Sequence, residues 1–453
     1  MFDRTSWMPL LGVCLLSLGV RAQAMTLPQA LAWAHQHQPS LLASRARIAA
    51  AREEAQIPRA LWAPRATAAV QVIEGTTNNT TASFAAPYGI DLVRIGGTRT
   101  SGTGSWSPDI SSIAAIGVRQ EVFDFGRIAV ESAAADALAD AAVARGDVVQ
   151  LDIDLDIEEA FLAVNASKAV LRASLAALQR AEAHRDDAQA EVKSGLRRPI
   201  DLTRAQADVA RFDVGRVRAQ GAVISAQSLF AAAVGVPEPR LDALGDVPAF
   251  AVAPDVEHAM TLALANDPSL RAAKLLLTAQ QQQTRAIGAL SRPDLELSAS
   301  LSGRAGGGQP TAGSVPNGGG YLPDVQNWDA GLMLTWPFFD PVINARQSAS
   351  RKEEVVRESQ ADEVRANVVA LVQEAAVALQ TASDAIPALH RSVDAALANS
   401  AQADARSKAG LSSQLEVADA DALLVDAEIQ LALGEFEHAR ARARLGRVIA
   451  EAP

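Results

Sequence analysis

The sequence predicts a mostly α-helical chain of long coiled-coil hairpins, with two β-hairpins per protomer that form part of a membrane β-barrel. Three observations lead to this fold class. Long helical patterns stop at a Gly-Leu pair and resume at once, in 193–210 (KSGLRRPIDLTRAQADVA) and again in 408–425 (KAGLSSQLEVADADALLV). Four shorter segments alternate apolar and polar residues, as half-buried strands do. The same order of helices and strands occurs twice along the chain.

Residues 1–24 have the pattern of a secretory signal peptide. Arg4 precedes an apolar stretch at 7–20, and 22–24 (AQA) forms an A-x-A cleavage site before Met25. The stretch is too short for an ordinary membrane-spanning helix. The alternative to a cleaved signal peptide is that this segment is retained as a membrane anchor. Cleavage removes Cys14, the single cysteine of the chain, so we expect no disulfide and no thiolate metal site in the mature protein.

The net charge of −11 argues against nucleic acid as a partner, because phosphate binding requires a basic face. Beyond the signal peptide, no segment has 18 consecutive apolar residues, which argues against a spanning helix. Membrane insertion would therefore depend on β-strands.

The two halves of the chain align at three places, which predicts a duplication. The repeats are 25–254 and 255–453. Each begins with a helix, which covers 26–57 in the first repeat and 255–289 in the second and is ended by Pro58 and Pro293. A β-hairpin follows (about 65–123 and 294–337), and then a long helical hairpin whose long helices are 126–194 and 342–409. The matching triplets, separated by 229, 216 and 215 positions, are Pro39-Ser40-Leu41 with Pro268-Ser269-Leu270, 122–124 (VFD) with 338–340 (FFD), and Lys193, Gly195 and Leu196 with Lys408, Gly410 and Leu411.

The first long helix has two heptad seams on nearly opposite faces. One contains Leu155 and Leu162, and the other contains Ile157 and Val164. A two-stranded coiled coil needs a single seam, whereas a helix in a closed wall has a neighbour on each side. In the second long helix, Pro387 is expected to produce a kink.

The strands of the second β-hairpin have the length and aromatic placement of transmembrane strands. Leu295, Leu297 and Leu301 alternate with polar residues, and Trp328 and Trp336 flank the apolar face of the partner strand. The alternative is a soluble sheet with one solvated face. Gly-, Asn-, Thr- and Ser-rich loops at about 74–112 and 303–327 favour the membrane interpretation.

Four strands cannot close a barrel, and open strand edges in lipid leave backbone groups unpaired. Two copies would supply eight strands and three copies twelve. Because an eight-stranded barrel is packed shut and a twelve-stranded one can surround a lumen, a conduit requires three copies.

Over residues 26–450 the chain resembles the TolC-type outer-membrane factor family, the outer membrane efflux proteins. The resemblance rests on the duplicated plan, on VFDFGR at 122–127 after the second strand, and on the two Gly-Leu turns. It implies a homotrimer with a twelve-stranded barrel in outer membrane lipid, an α-helical periplasmic tunnel, and an equatorial belt that includes the linker 237–254.

The resemblance also implies site residues. The periplasmic tips, which contact a periplasmic adaptor (a membrane fusion protein), fall on Gly195, Leu196, Gly410 and Leu411. Two acidic rings at the entrance fall on Glu416 and Asp419, which share a helix face.

The entrance departs from the family pattern at one position. Where some members have an arginine that ties the closed entrance, this chain has Ser412. Its acidic partner is retained as Asp201, and the substitute for the arginine is left open among Arg197, Arg198 and Arg204.

The implied function is a passive exit duct that receives substrate from the adaptor and an inner-membrane pump of RND or ABC type. The alternative is a periplasmic coiled-coil scaffold or adaptor without a channel. We expect no enzymatic activity, cofactor or metal site. The acidic run 152–159 (DIDLDIEE) is interpreted as a solvated helix face, and the scattered histidines as surface residues.

Overall fold

The computed structural model describes residues 23–76, 108–245, 255–306, 325–409 and 411–450. The described chain is mostly helical, as predicted. Most of the predicted signal peptide, the central parts of the two long loops and Gly410 lie outside the described residues. In the described ranges, the elements are β1 (Gln23–Met25), α1 (Leu27–His37), α2 (Pro39–Glu54), α3 (Ile57–Ala60), β2 (Arg65–Thr76), β3 (Pro108–Phe123), α4 (Arg127–Lys193), α5 (Pro199–Val234), β4 (Leu241–Ala243), α6 (Val256–Asn266), α7 (Pro268–Ala289), β5 (Asp294–Gly306), β6 (Val325–Thr335), α8 (Pro341–Lys408) and α9 (Gln414–Val448).

The chain divides into two compact units. The first is formed by 1–42, 150–260 and 372–453, and the second by 43–149 and 261–371. Each unit therefore takes segments from both of the predicted repeats.

The two long helices begin in the same way after a strand. The Asp124 carboxylate accepts hydrogen bonds from the backbone N–H of Gly126 (2.9 Å) and of Ile128. At the position 216 residues later, the Asp340 carboxylate accepts from Val342 N (2.8 Å). Each aspartate thereby satisfies N–H groups that have no partner within the helix. α8 begins at Pro341, one residue before the predicted start, at a position where the missing N–H of proline costs no hydrogen bond.

The prediction of single helices over 26–57 and 255–289 is wrong. The first is broken at Gln38 and the second at Asp267, each directly before a proline. Gln38 has φ −66° and ψ 121°, and Asp267 has φ −59° and ψ 120°. A proline disfavours the helical conformation of the preceding residue, which explains both breaks. By contrast, α8 runs through Pro387 without a break, and the kink stays a prediction.

The second unit contains a four-stranded antiparallel sheet with the order β2-β3-β5-β6. The central pair, β3 with β5, joins strands from the two halves of the sequence, and its register shifts between Glu121 and Phe123. In the described chain, β2 pairs only with β3 and β6 only with β5. Each outer strand therefore has one edge without a pairing strand.

α4 is the one described helix that is long and apolar enough to cross a membrane by length and composition alone. Both of its predicted seams, however, are covered by protein. Ile157 and Val164 of one seam and Leu162 of the other are buried. These three apolar residues of α4 therefore serve as core positions.

The core of the first unit lies where α1, α4 and α5 meet β1 and β4. Phe161 and Phe230 pack edge to face at its centre, with ring centroids 5.8 Å apart. β1 and β4 pair in parallel beside them, and Leu241 of β4 is fully buried. This core fixes the chain segment that connects α5 to α6.

Candidate functional site

The turn that joins α4 to α5 is a Schellman motif centred on Gly195. Leu196 N donates to Glu191 O (2.9 Å) and Gly195 N donates to Val192 O (3.1 Å), which closes the end of α4. Gly195 has φ +76°, whereas a Cβ at this position would meet no atom within 4 Å. Glycine is therefore required for its backbone conformation and not for lack of space.

The second turn, 215 residues later, shares one of these hydrogen bonds. Leu411 N donates to Arg406 O at 2.8 Å, the counterpart of the bond from Leu196 to Glu191. The conformation of Gly410 itself lies outside the described residues. Both leucines project into solvent, Leu196 with 79% and Leu411 with 71% of its surface exposed.

The helices that follow the turns begin differently. α5 begins with Pro199 in its first turn and has no side-chain cap at Arg198. α9 is capped by Ser413, whose hydroxyl accepts from Glu416 N at 3.4 Å. The side chains of Glu416 and Asp419 are exposed on the first turns of α9.

A hydrogen bond joins the two turn regions through Arg197. Its Nη2 donates to Ser407 Oγ on α8 (3.1 Å), and its Nε lies 2.5 Å from the Glu191 carboxylate on α4. Asp201 instead faces Arg198 of its own turn, at 3.7 Å. Arg204 is exposed, and within the described residues it forms no ion pair. Of the three arginines that the sequence left open, Arg197 is the one that reaches α8.

Further along the same helices, a buried polar cluster joins α4, α8 and α9. Its centre is Asp421, which is 4% exposed. The Asp421 carboxylate accepts from Ser400 Oγ (2.7 Å) and lies 3.1 Å from His184 Nε2. Arg180 lies 3.9 Å from the same carboxylate and 3.8 Å from that of Glu428. We name these five residues the Asp421 cluster.

The Asp421 cluster favours the charged forms of Asp421 and His184. The hydrogen bond to Asp421 raises the pKa of His184 above its usual range, against the opposing effect of burial. Burial alone would raise the pKa of Asp421, but the hydrogen bonds from His184 and Ser400 hold it below its usual range. The pair is therefore a salt bridge at mildly acidic pH. The interpretation of the histidines as surface residues is wrong for His184.

A second set of charges lies on the acidic run of α4, where the prediction of a solvated face is wrong for Asp154 and Glu158, whereas Asp152 and Asp156 are exposed. Asp154 is buried and accepts from His35 Nε2 at 2.6 Å. Glu158 is 4% exposed, and burial raises its pKa to about 7. Asp152 and Glu159 pair instead with arginines of α9 (Arg440, Arg444 and Arg447). The run thus connects α4 with α1 and α9, and among the described residues no group has the donors of a metal site.

The sheet of the second unit has one apolar face open to its surroundings. Trp328 is 80% and Trp336 is 58% exposed. The other exposed side chains on this face include Val70, Val72, Ile116, Val118, Leu297, Leu301, Leu332 and Leu334.

The opposite face of the sheet is polar and internally paired. Arg119 Nε lies 3.0 Å from Glu296, and Ser300 Oγ donates to Asp329 at 2.6 Å. Where β3 leads into α4, Arg127 of α4 pairs with Glu121 at 3.2 Å. A soluble sheet with one solvated face would have the reverse arrangement, with its apolar side covered.

Comparison with known proteins identifies the family. The model of the family described as "Outer membrane efflux protein" matches residues 30–236 and 259–451. No curated protein matches the sequence.

Several solved channels have a similar fold. The outer-membrane channel OprN is 20% identical, with a TM-score of 0.72 over 94% of this chain and 90% of that one. VceC of Vibrio cholerae is 18% identical, with a TM-score of 0.70 over 94% and 96%. CmeC of Campylobacter jejuni is 13% identical, with a TM-score of 0.74 over 93% and 85%. The chain therefore belongs to the outer membrane efflux protein family, which confirms the predicted resemblance and the location in the outer membrane with a periplasmic domain.

Proposed function

We propose that three copies of this chain form a passive exit duct through the outer membrane. The observation that carries the proposal is a four-stranded sheet with an exposed, tryptophan-flanked apolar face and two edges that no described strand pairs. In lipid, an unpaired strand edge costs several kcal/mol for each backbone group. Pairing β2 of one protomer with β6 of the next removes the edges, and three protomers give a twelve-stranded barrel that can enclose a lumen.

In this barrel the apolar face contacts lipid and the paired polar face lines the duct. Trp328 and Trp336 lie near the two ends of β6, where indole rings favour the membrane–water interfaces. The long helices α4 and α8, with α5 and α9, form the wall of a periplasmic tunnel. The linker around β4 contributes to the equatorial belt.

The Gly-Leu tips are the proposed contacts for a periplasmic adaptor. The exposed Leu196 and Leu411, placed by Gly195 and Gly410, would give a trimer six apolar contacts at the end of the tunnel. The adaptor couples the duct to an inner-membrane pump of RND or ABC type. The pump supplies the energy, and the duct conducts passively.

Acidic side chains control the proposed entrance. Glu416 and Asp419 are exposed and lie three residues apart, so in a trimer they form two neighbouring carboxylate rings. Such rings favour cations over anions. Arg197, through Ser407, takes the place of the arginine that ties the entrance in some relatives, while Asp201 and Arg204 remain candidate gating residues.

A periplasmic scaffold without a channel is the second candidate function. The exposed apolar face of the sheet argues against it, because a soluble scaffold would leave that face in contact with water. We also infer that the protein is not an enzyme, since it belongs to a family of channel proteins.

Planar-bilayer recording of the purified protein tests the duct. We expect cation-selective conductance, with a shift of the reversal potential towards zero when Glu416 and Asp419 are both changed to alanine. Asp186→Ala is the matched control, because Asp186 is an exposed acid on α4 paired with its neighbour Arg185. Failure to conduct, with recovery in the soluble periplasm without detergent, would support the scaffold instead. An unchanged selectivity in the double variant would refute the acidic rings.

A further inference from the structure

The N-terminal strand β1 is part of the core of the first unit. Gln23, Ala24 and Met25 pair in parallel with Leu241, Asp242 and Ala243 of β4. The ladder ends with Leu244 N donating to Met25 O at 2.8 Å. Met25 is buried in the hydrophobic cluster that contains Phe161 and Phe230.

Cleavage at the A-x-A site would damage this ladder. It would remove Gln23 and Ala24, which form two of the three residue pairs. It would also place the new α-ammonium group on Met25, at a buried position. Burying an ammonium group without a partner is costly.

The charges around β4 would further destabilise an ammonium group on Met25. Met25 lies opposite Ala243. The Ala243 carbonyl already accepts from Lys168 Nζ at 2.9 Å, and Lys168 pairs with Asp242 at 2.6 Å. Gln227 donates to the same Asp242 carboxylate at 3.0 Å. A second positive charge beside Lys168 would therefore be repelled and would find the nearby carboxylate engaged.

We propose that signal peptidase cleaves after Ala22, so that the mature chain begins at Gln23. The residues before this cut, Val20-Arg21-Ala22, supply a short aliphatic residue at the third position and alanine at the last, as such sites require. The new ammonium group then lies at the outer end of the ladder, next to the exposed Ala24. Of the two cuts, only this one leaves a chain that forms the whole ladder.

The N-terminal peptide of the protein purified from membranes tests the proposal by mass spectrometry. We expect a peptide that begins at Gln23, either free or as pyroglutamate, which forms when the α-amine attacks the side-chain amide carbon and releases ammonia. A peptide that begins at Met25, or one that retains residues of the signal segment, would overturn the proposal.

Two matched substitutions give an independent test, because signal peptidase requires a small residue directly before the cut and tolerates valine two positions earlier. If the cut follows Ala22, Ala22→Val loses the wild-type N-terminus, because cleavage then fails or moves to the position after Ala24, and Ala24→Val keeps that N-terminus. If the cut follows Ala24, the two outcomes are exchanged. Valine at position 24 suits an exposed strand position, so the fold is retained.

Discussion

The Asp421 cluster should contribute measurably to stability, and only over a defined pH range. We consider Asp421→Asn, which keeps an oxygen to accept from Ser400 but removes the negative charge that faces His184. A hydrogen bond to a charged group contributes roughly 1.5–3 kcal/mol and a neutral one about 1 kcal/mol. The variant should therefore lose about 1–2 kcal/mol per protomer.

The pH dependence follows from the directions of the two pKa shifts. The pKa of His184 is raised by folding, so its contribution is present below pH 6.5 and is lost as the pH rises through the raised pKa. The pKa of Asp421 is lowered, so its contribution is present above pH 3.8 and is lost only in stronger acid. The stability difference between wild type and variant should be largest between these limits and should shrink at alkaline pH.

Other charges also face this pair and must be kept in place. Asp404 of α8 and Asp187 of α4 act on His184. Asp208 of α5 lies close enough to Asp421 and His184 for its pKa to be affected by both, although burial is the main cause of its raised pKa. Since Asp421→Asn leaves these groups unchanged, comparison with the wild type at each pH isolates the pair.

The assay is unfolding of the detergent-solubilised protein, followed by circular dichroism at about pH 5.5 and again at about pH 9. His184→Gln is a companion variant, because it keeps an N–H donor but cannot titrate. Asp186→Asn is the control on the exposed side of α4 and should change stability by less than about 0.5 kcal/mol. An equal loss at both pH values for Asp421→Asn, or no loss at either, would refute the assignment of the salt bridge.

Three further predictions concern backbone conformation, a buried acid and the tips. Gly195→Ala should destabilise the protein by about 1 kcal/mol, because Gly195 has a positive φ. Gly215→Ala within α5, where a Cβ also meets no atom, should stabilise the protein by about the same amount. Denaturation curves of the two variants measure this contrast. The wild type should lose up to about 3 kcal/mol of stability as the pH rises from 4.5 to about 7, because the pKa of Glu158 is raised in the folded protein. Glu158→Gln should not show this pH-dependent loss when the unfolding free energies of the two proteins are compared across that range. Leu196→Cys should cross-link to an adaptor in living cells, as identified by mass spectrometry, and capture of no periplasmic partner would contradict the tip assignment.

The local patterns in the sequence predicted the helical part of the fold well. The bounds of α4 and α8 differ by one residue at each end from those expected from the heptads and the Gly-Leu turns. These features depend on residues close together in the chain, so periodicity, glycine and strand alternation reveal them. The breaks at Gln38 and Asp267 had a visible signal as well, since both precede prolines in the repeated Pro-Ser-Leu motif.

The pairings between distant residues had no such signal. His184 and Asp421 lie far apart in the sequence, and no local pattern links the two residues. Asp154 and Glu158 looked solvated because acidic runs usually are, yet long-range packing buries them beside α1 and α9. The pairing of β1 with β4 likewise connects segments too short to be recognised from alternation.

The closure of three protomers by β2–β6 pairing is the central claim, and cysteine cross-linking tests it directly. Ala69→Cys in β2 would be combined in turn with a cysteine at Gly331, Met333 or Thr335 in β6, because paired antiparallel strands bring Cα atoms within disulfide range. Cys14 lies in the predicted signal peptide, so the introduced cysteines are the only ones expected in the mature chain. We expect one register to give oxidised bands that end at the trimer on a denaturing gel. Bands that continue beyond the trimer, or monomer alone at all three registers, would contradict the account.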